Sequence, residues 1–110
     1  MEKIVKGDVV VIPFPFSDLS SSKRRPAVVV AALQGDDVIC CQITSEARFD
    51  PYSLGLHPAD FKQGGLPHAS TIRPNRIFTA DKSIIAYKIG TLREKTIKEI
   101  EGILVEIITK

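Results

Sequence analysis

The chain has only two cysteines, and they are neighbours, Cys40 and Cys41. Adjacent strand residues point to opposite faces, which is poor geometry for a mutual bridge, so the pair is expected as buried free thiols. No apolar run approaches the length needed to cross a bilayer, and the opening "MEKIVKGD" carries charge where a signal peptide needs its apolar stretch. The chain therefore reads as cytoplasmic and free of the membrane. Neither sign of charge dominates: 15 Lys and Arg against 13 Asp and Glu leave a net +2, so bulk charge alone does not establish nucleic-acid binding. There is also no G-x-S-x-G, no phosphate-binding P-loop and no dinucleotide fingerprint, and His57 with Asp50 or Asp60 lacks metal-site spacing. Most hydrolase mechanisms lose their candidate residues, and no cofactor or metal is expected.

What is present fits one globular domain over residues 1–110. The apolar fraction is 44%, enough for a core, and the 25% of charged residues mix both signs. Three apolar, β-branched stretches predict strands: "VVVIPF" (Val9–Phe14), "AVVVAA" (Ala27–Ala32) and "VICCQIT" (Val38–Thr44). None alternates cleanly, so each is expected to be buried on both faces, as in a small barrel or curled sheet. Pro13 and Pro15 are expected to end the first strand, because proline donates no ladder hydrogen bond. The middle is looser, with a brief strand at Tyr52–Leu56. Pairing resumes in "STIRPNRIFTAD" and "IIAYKIG". A helix closes the chain, with Thr91 and Glu94 spaced as a capping box and Ile97, Ile100, Leu104, Ile107 and Ile108 on one face. Glu94 and Lys98 make an i,i+4 pair on its outer side. Strands followed by one packed helix give an α+β fold, a small barrel with a C-terminal helix.

Two stretches place reactive groups at strand boundaries. In "SKRRPAVVV" (Ser22–Val30), Pro26 biases Arg25 towards extended backbone at the strand entrance. A guanidinium so fixed suits a bidentate grip on phosphate. A solvated, edge-protecting cluster is the commoner role of such charges, and composition alone favours it. In "QITSEAR", Gln42 and Thr44 project to one side of the third strand and Ser45 leaves it. Their amide and hydroxyls suit a substrate hydroxyl or phosphate oxygen, although a β-branched residue filling a strand end is the plainer account. His57 and His68 lie on a Pro- and Gly-rich segment with nothing local to fix their separation.

The stretches "GDVVVIPFPFSDLSSSKRRPAVVV", "VICCQITS" and "GGLPHASTIRPNRIFTADKS" together resemble the MazF/PemK family of toxin endoribonucleases of type II toxin–antitoxin systems. The G-D-V opening, the R-P-A-V-V strand and the I-T-S strand end stand in the family's order, and the resemblance covers nearly the whole chain. It implies an SH3-like β-barrel of the MazF/PemK/CcdB type and a homodimer. It implies metal-independent cleavage of single-stranded RNA, not DNA, by attack of the 2′-hydroxyl. The catalytic arginine before the proline would be Arg25, and the catalytic threonine ending the third strand would be Thr44. Ser17, Lys23, Arg24, Gln42, Ser45, Arg48, His68 and Ser70 would hold substrate, His68 standing where many relatives have lysine. A cognate antitoxin with an acidic, disordered tail would be the protein partner. A gyrase-poisoning toxin of the same fold, or a plain RNA-binding module, are the alternatives.

Overall fold

The computed structural model describes residues 3–15, 22–46 and 50–110, with the side chains of residues 14, 15, 22 and 23 left aside. Among the described residues, seven strands form one antiparallel sheet: β1 (Asp8–Pro15), β2 (Ser22–Ala32), β3 (Asp37–Thr44), β4 (Leu54–Leu56), β5 (Phe61–Gly64), β6 (Ser70–Asp81) and β7 (Tyr87–Leu92). The helix α1 (Glu94–Ile108) follows. Across the sheet the order is β4-β6-β3-β2-β1-β7-β5.

That order dictates the curl. The two edge strands, β4 and β5, are consecutive in sequence and joined only by His57 and a 3-10 turn at Pro58–Asp60. A flat sheet of seven strands would hold its edges about 29 Å apart at about 4.8 Å per strand. The five residue steps from Leu56 to Phe61 reach at most about 18 Å. The sheet therefore bends until its edges approach, giving a curled, partly open barrel closed by the connector rather than by a ladder.

Burial on both faces follows the expectation from the unbroken apolar runs. Val9, Val28, Cys41, Ile43, Ile72 and Leu92 pack with Ile100 of α1 on one face. Val10, Ile12, Ala27, Val29, Val38 and Cys40 pack with Ile4 and Ile85 on the other. Each neighbouring pair is split between the two clusters. Cys40 and Cys41 are thus back to back, free and fully buried, and burial pushes both thiols up to about 12, the charge of Cys40 adding to the effect at Cys41.

The Gly7-Asp8 pair staples the fold. Gly7 has a φ of 94°, and a Cβ there would collide with Ile97 of α1. Asp8, 0% exposed, accepts the Val5 N–H at 2.8 Å and the Thr91 hydroxyl at 3.0 Å, and meets Lys88 Nζ at 3.5 Å. The start of β1 is thereby tied to β7.

Several local expectations are corrected. Pro13 does not end β1: the strand continues through it, paired with Arg24, and has its last residue at Pro15, paired with Ser22. Beyond Val11 the described ladder of β1 has only β2 as neighbour, so the missing N–H at Pro13 has a free edge to face. Lys23, Arg24 and Arg25 accordingly lie within β2, not ahead of it. The Thr91–Glu94 capping box does not form: Thr91 is in β7 with its hydroxyl committed to Asp8, and Arg93 caps α1 without a side-chain bond. On α1, Ile100 is buried and Ile97, Leu104 and Ile107 are half-buried, but Ile108 is 76% exposed and leaves the expected face. The Glu94–Lys98 pair is present at 3.5 Å. The strand expected at Tyr52–Leu56 is confined to Leu54–Leu56.

Candidate functional site

Register brings the two strand-boundary stretches together. Ala27 of β2 pairs with Gln42 of β3. The β2–β3 ladder ends at that pair; two residues further along each strand, in opposite directions, stand Arg25 and Thr44, on the same face by the alternation of strand side chains. The same face continues into β6, where Gln42 pairs with Arg73 and Thr44 with Thr71. Arg24, Pro26, Ile43 and Ser45 belong to the opposite, helix-side alternation.

A cleft of about 300 Å³ opens at this end of the sheet. Arg24, Arg25, Ser45, His68 and Ser70 contribute its polar wall, and Pro26, Ile43, Leu66 and Pro67 its apolar wall. Arg24 is exposed and Arg25 half-buried. The Ser70 hydroxyl donates to the His68 carbonyl at 3.0 Å, bracing the loop that carries His68. Thr44 is 4% exposed, and its Oγ1 accepts the Glu46 N–H at 3.1 Å, which fixes the turn leaving β3. A hydroxyl that accepts one N–H keeps its own proton to donate. Gln42 sits half-buried in mid-strand, away from the cleft wall. Ser17, Arg48 and the Lys23 side chain lie outside the described residues.

Sequence reasoning missed the Leu66-Pro67 wall and Arg73. The Arg73 side chain is 11% exposed, with Nη2 3.6 Å from Asp50 Oδ2 and a buried Nε that has no hydrogen-bond partner among the described residues. Its signal in the sequence was available: Arg73-Pro74 repeats the Arg25-Pro26 dipeptide on a second strand. At Asp50, desolvation pushes the carboxyl up. The Tyr52 N–H, Ser53 and the Arg73 guanidinium outweigh it and hold the group below its ordinary value.

Residues 5–108 match the sequence profile of the PemK-like, MazF-like toxins of type II toxin–antitoxin systems. The chain belongs to this family. The MazF/PemK assignment agrees with solved structures of the same fold. An endoribonuclease in complex with its cognate antitoxin from a mycobacterial species is 17% identical with a TM-score of 0.78, covering 97% of this chain and 96% of that one. MazF in the MazE-MazF structure (Form-III) from Deinococcus radiodurans is 18% identical with a TM-score of 0.75, covering 96% of each chain. The toxin MazF-mt6 from Mycobacterium tuberculosis is 17% identical with a TM-score of 0.64, covering 90% and 89%. No curated protein matches the sequence. At these identities the MazF likeness is one of fold, so the chemistry has to be argued from this chain's own residues.

Proposed function

We propose that this MazF/PemK toxin is a metal-independent endoribonuclease that cuts single-stranded RNA at the Arg25–Thr44 end of the sheet. The observation that carries the reading is the register: carried two residues past the Ala27–Gln42 pair, it sets Arg25 and Thr44 on the same face of adjacent strands, and Arg25 also lines a cleft whose wall adds Arg24 and the hydroxyls of Ser45 and Ser70. RNA brings its own nucleophile, so the protein need only align it and stabilise charge. The 2′-oxygen forms a bond to phosphorus and loses its proton, and the P–O5′ bond breaks as O5′ takes up a proton. The products are a 2′,3′-cyclic phosphate and a 5′-hydroxyl. The Arg25 guanidinium donates to the phosphoryl oxygens as charge grows on them, and such a preorganised donor contributes about 10²–10³ in rate. Guanidinium groups only donate, so Arg25 is not the base. The Thr44 hydroxyl proton holds a phosphate oxygen or the 2′-oxygen in line. Arg24, Ser45, His68 and Ser70 grip the chain on either side; Lys23, Ser17 and Arg48 are kept as substrate-binding residues on the family resemblance alone, and Gln42, away from the cleft wall, is left out of that grip.

The same reading makes the partner an antitoxin whose acidic, disordered tail competes with RNA for the basic cleft, and it places the protein in the cytoplasm. A homodimer is part of the proposal, supported by the apolar surface that Ile77, Tyr87, Val105 and Ile108 expose.

The test is a long RNA incubated with pure protein in EDTA. Cleavage is expected, with cyclic phosphate ends, and a 2′-deoxy nucleotide at the cut must abolish it. Arg25→Ala and Thr44→Ala should each lose at least about 100-fold in rate with the fold intact. Arg24→Ala should lose less, mainly as weaker binding with a shallower salt dependence. Equal cutting of the deoxy substrate refutes the mechanism. A larger loss from Arg24→Ala than from Arg25→Ala refutes the assignment, and binding without cutting returns the chain to the RNA-binding alternative.

A further inference from the structure

A second pocket of about 220 Å³ adjoins the cleft and shares its Leu66, Pro67 and His68 wall. Its chemistry is different. Where the cleft has Arg24 and Arg25, this pocket has no Lys, Arg, Asp or Glu in its lining among the described residues. Its walls are instead Leu56, Pro58 and Phe61, with His57 and His68 adding imidazole rings. Leu56 and Phe61 are buried, so the floor is set by the core. His57 lies close over the Gly55 backbone, where an added Cβ would come within 3.3 Å of its Nε2. The space is smaller than the ~300–1,000 Å³ typical of small-molecule pockets. It suits one flat ring system rather than a whole nucleotide or cofactor.

We infer that this pocket is a nucleobase subsite. It takes the unstacked base of a nucleotide neighbouring the one whose phosphate lies against Arg24 and Arg25. The inference rests on the nuclease reading above and adds to it the place where a base is held. A single-stranded RNA alternates anionic phosphates with flat apolar bases along its length. A groove that passes from guanidinium groups to an uncharged slot of rings and prolines repeats that alternation. Splayed bases are held in such slots by stacking on aromatic and imidazole rings.

Gly65 supplies the probe. It lines the pocket, its backbone is outside the left-handed region, and a Cβ built on it meets no described atom within 4 Å. Gly65→Leu therefore puts a branched side chain at the rim of the slot with no backbone strain and no clash at its Cβ. The experiment measures affinity for a short RNA made non-cleavable by one 2′-deoxy nucleotide at its cut site, with an abasic nucleotide scanned along it. For the wild type, one position beside the cut should lose about 10-fold in affinity when its base is removed. Gly65→Leu should lose a similar factor on intact RNA and lose nothing further when that same base is absent, while other positions keep their wild-type sensitivity. His57→Ala should flatten the same position, giving a second route if the leucine variant unfolds on heating at a lower temperature. A folded Gly65→Leu protein with the wild-type abasic profile overturns the subsite. So does a variant that weakens only antitoxin binding. Wild-type protein that binds no RNA in the first arm overturns the nuclease reading itself, and that outcome is visible before any variant is made.

Discussion

Removing the Asp8 carboxylate should be among the most damaging single changes in the molecule, although Asp8 is remote from the cleft wall. The side chain is fully buried and serves the Val5 N–H, the Thr91 hydroxyl and Lys88 Nζ at once. Hydrogen bonds to a charged group are worth about 1.5–3 kcal/mol each, and breaking a buried pair costs about 3–5 kcal/mol because its partners stay behind. Asp8→Ala should therefore cost about 4 kcal/mol. Asp8→Asn should cost about half that: its amide oxygen still accepts from Val5 and its NH₂ can donate to a reoriented Thr91 hydroxyl, but the charge facing Lys88 is gone. For a chain of this size the alanine variant should melt about 15 °C lower. Urea unfolding followed by far-UV circular dichroism gives both values, with Thr91→Val completing a double-mutant cycle whose coupling should be about 1 kcal/mol. An Asp8→Ala loss below about 1 kcal/mol would show that the staple holds nothing.

Three further expectations follow from other parts of the structure. The buried thiols should resist a thiol reagent at pH 8 in the native protein and react, two per chain, only on unfolding. Because their folded values are raised from 9.0 to about 12, their contribution is complete below pH 9 and is lost as pH rises towards 12. Replacing both by alanine should remove that alkaline loss from a stability–pH curve. Asp50, held below its ordinary 3.8, has the opposite sign: its contribution is present above that value and is lost as pH falls through the lower folded one. Asp50→Asn should flatten this acid limb in the same measurement. On α1, Gly102 is exposed and an added Cβ meets nothing, so Gly102→Ala should raise stability by about 0.5–1 kcal/mol in urea.

The long strands were legible because Val, Ile and Ala occupy both faces of β1, β2 and β3, and a run buried on both sides carries no alternation to misread. β5 was not. Only Phe61 of its four residues is buried, and nothing in "FKQG" announces that it pairs with β7. The capping box failed for a related reason. Its spacing was right, but the Thr91 hydroxyl goes to a carboxylate 83 residues away, and a local motif says nothing of such a competitor. The candidate site divides in the same way. Arg25 and Thr44 were assigned their roles through family resemblance, and their sharing one face of adjacent strands depends on a β2–β3 register that no single stretch encodes. Leu66 and Pro67 were not singled out, because their place in a wall exists only once the sheet has curled. Arg73 was readable in principle, from the second Arg-Pro dipeptide.

The connection from Asp8 to Thr91 also sets a clock. β1, β2 and β3 are neighbours in sequence, so their pairing closes only short loops. The Leu66–Ser70 wall of the cleft comes later, and the ladder that anchors β1 and β5 waits for Tyr87–Leu92. Contacts of such separation form slowly compared with local ones, since the long loop must be closed before it gains anything. A chain that ends before β7 therefore carries every residue of the cleft wall but lacks the strand that β5 pairs with. The residues that tie the sheet together are thus among the last made, and the curled frame around the cleft rests on a strand that lends the cleft no side chain of its own.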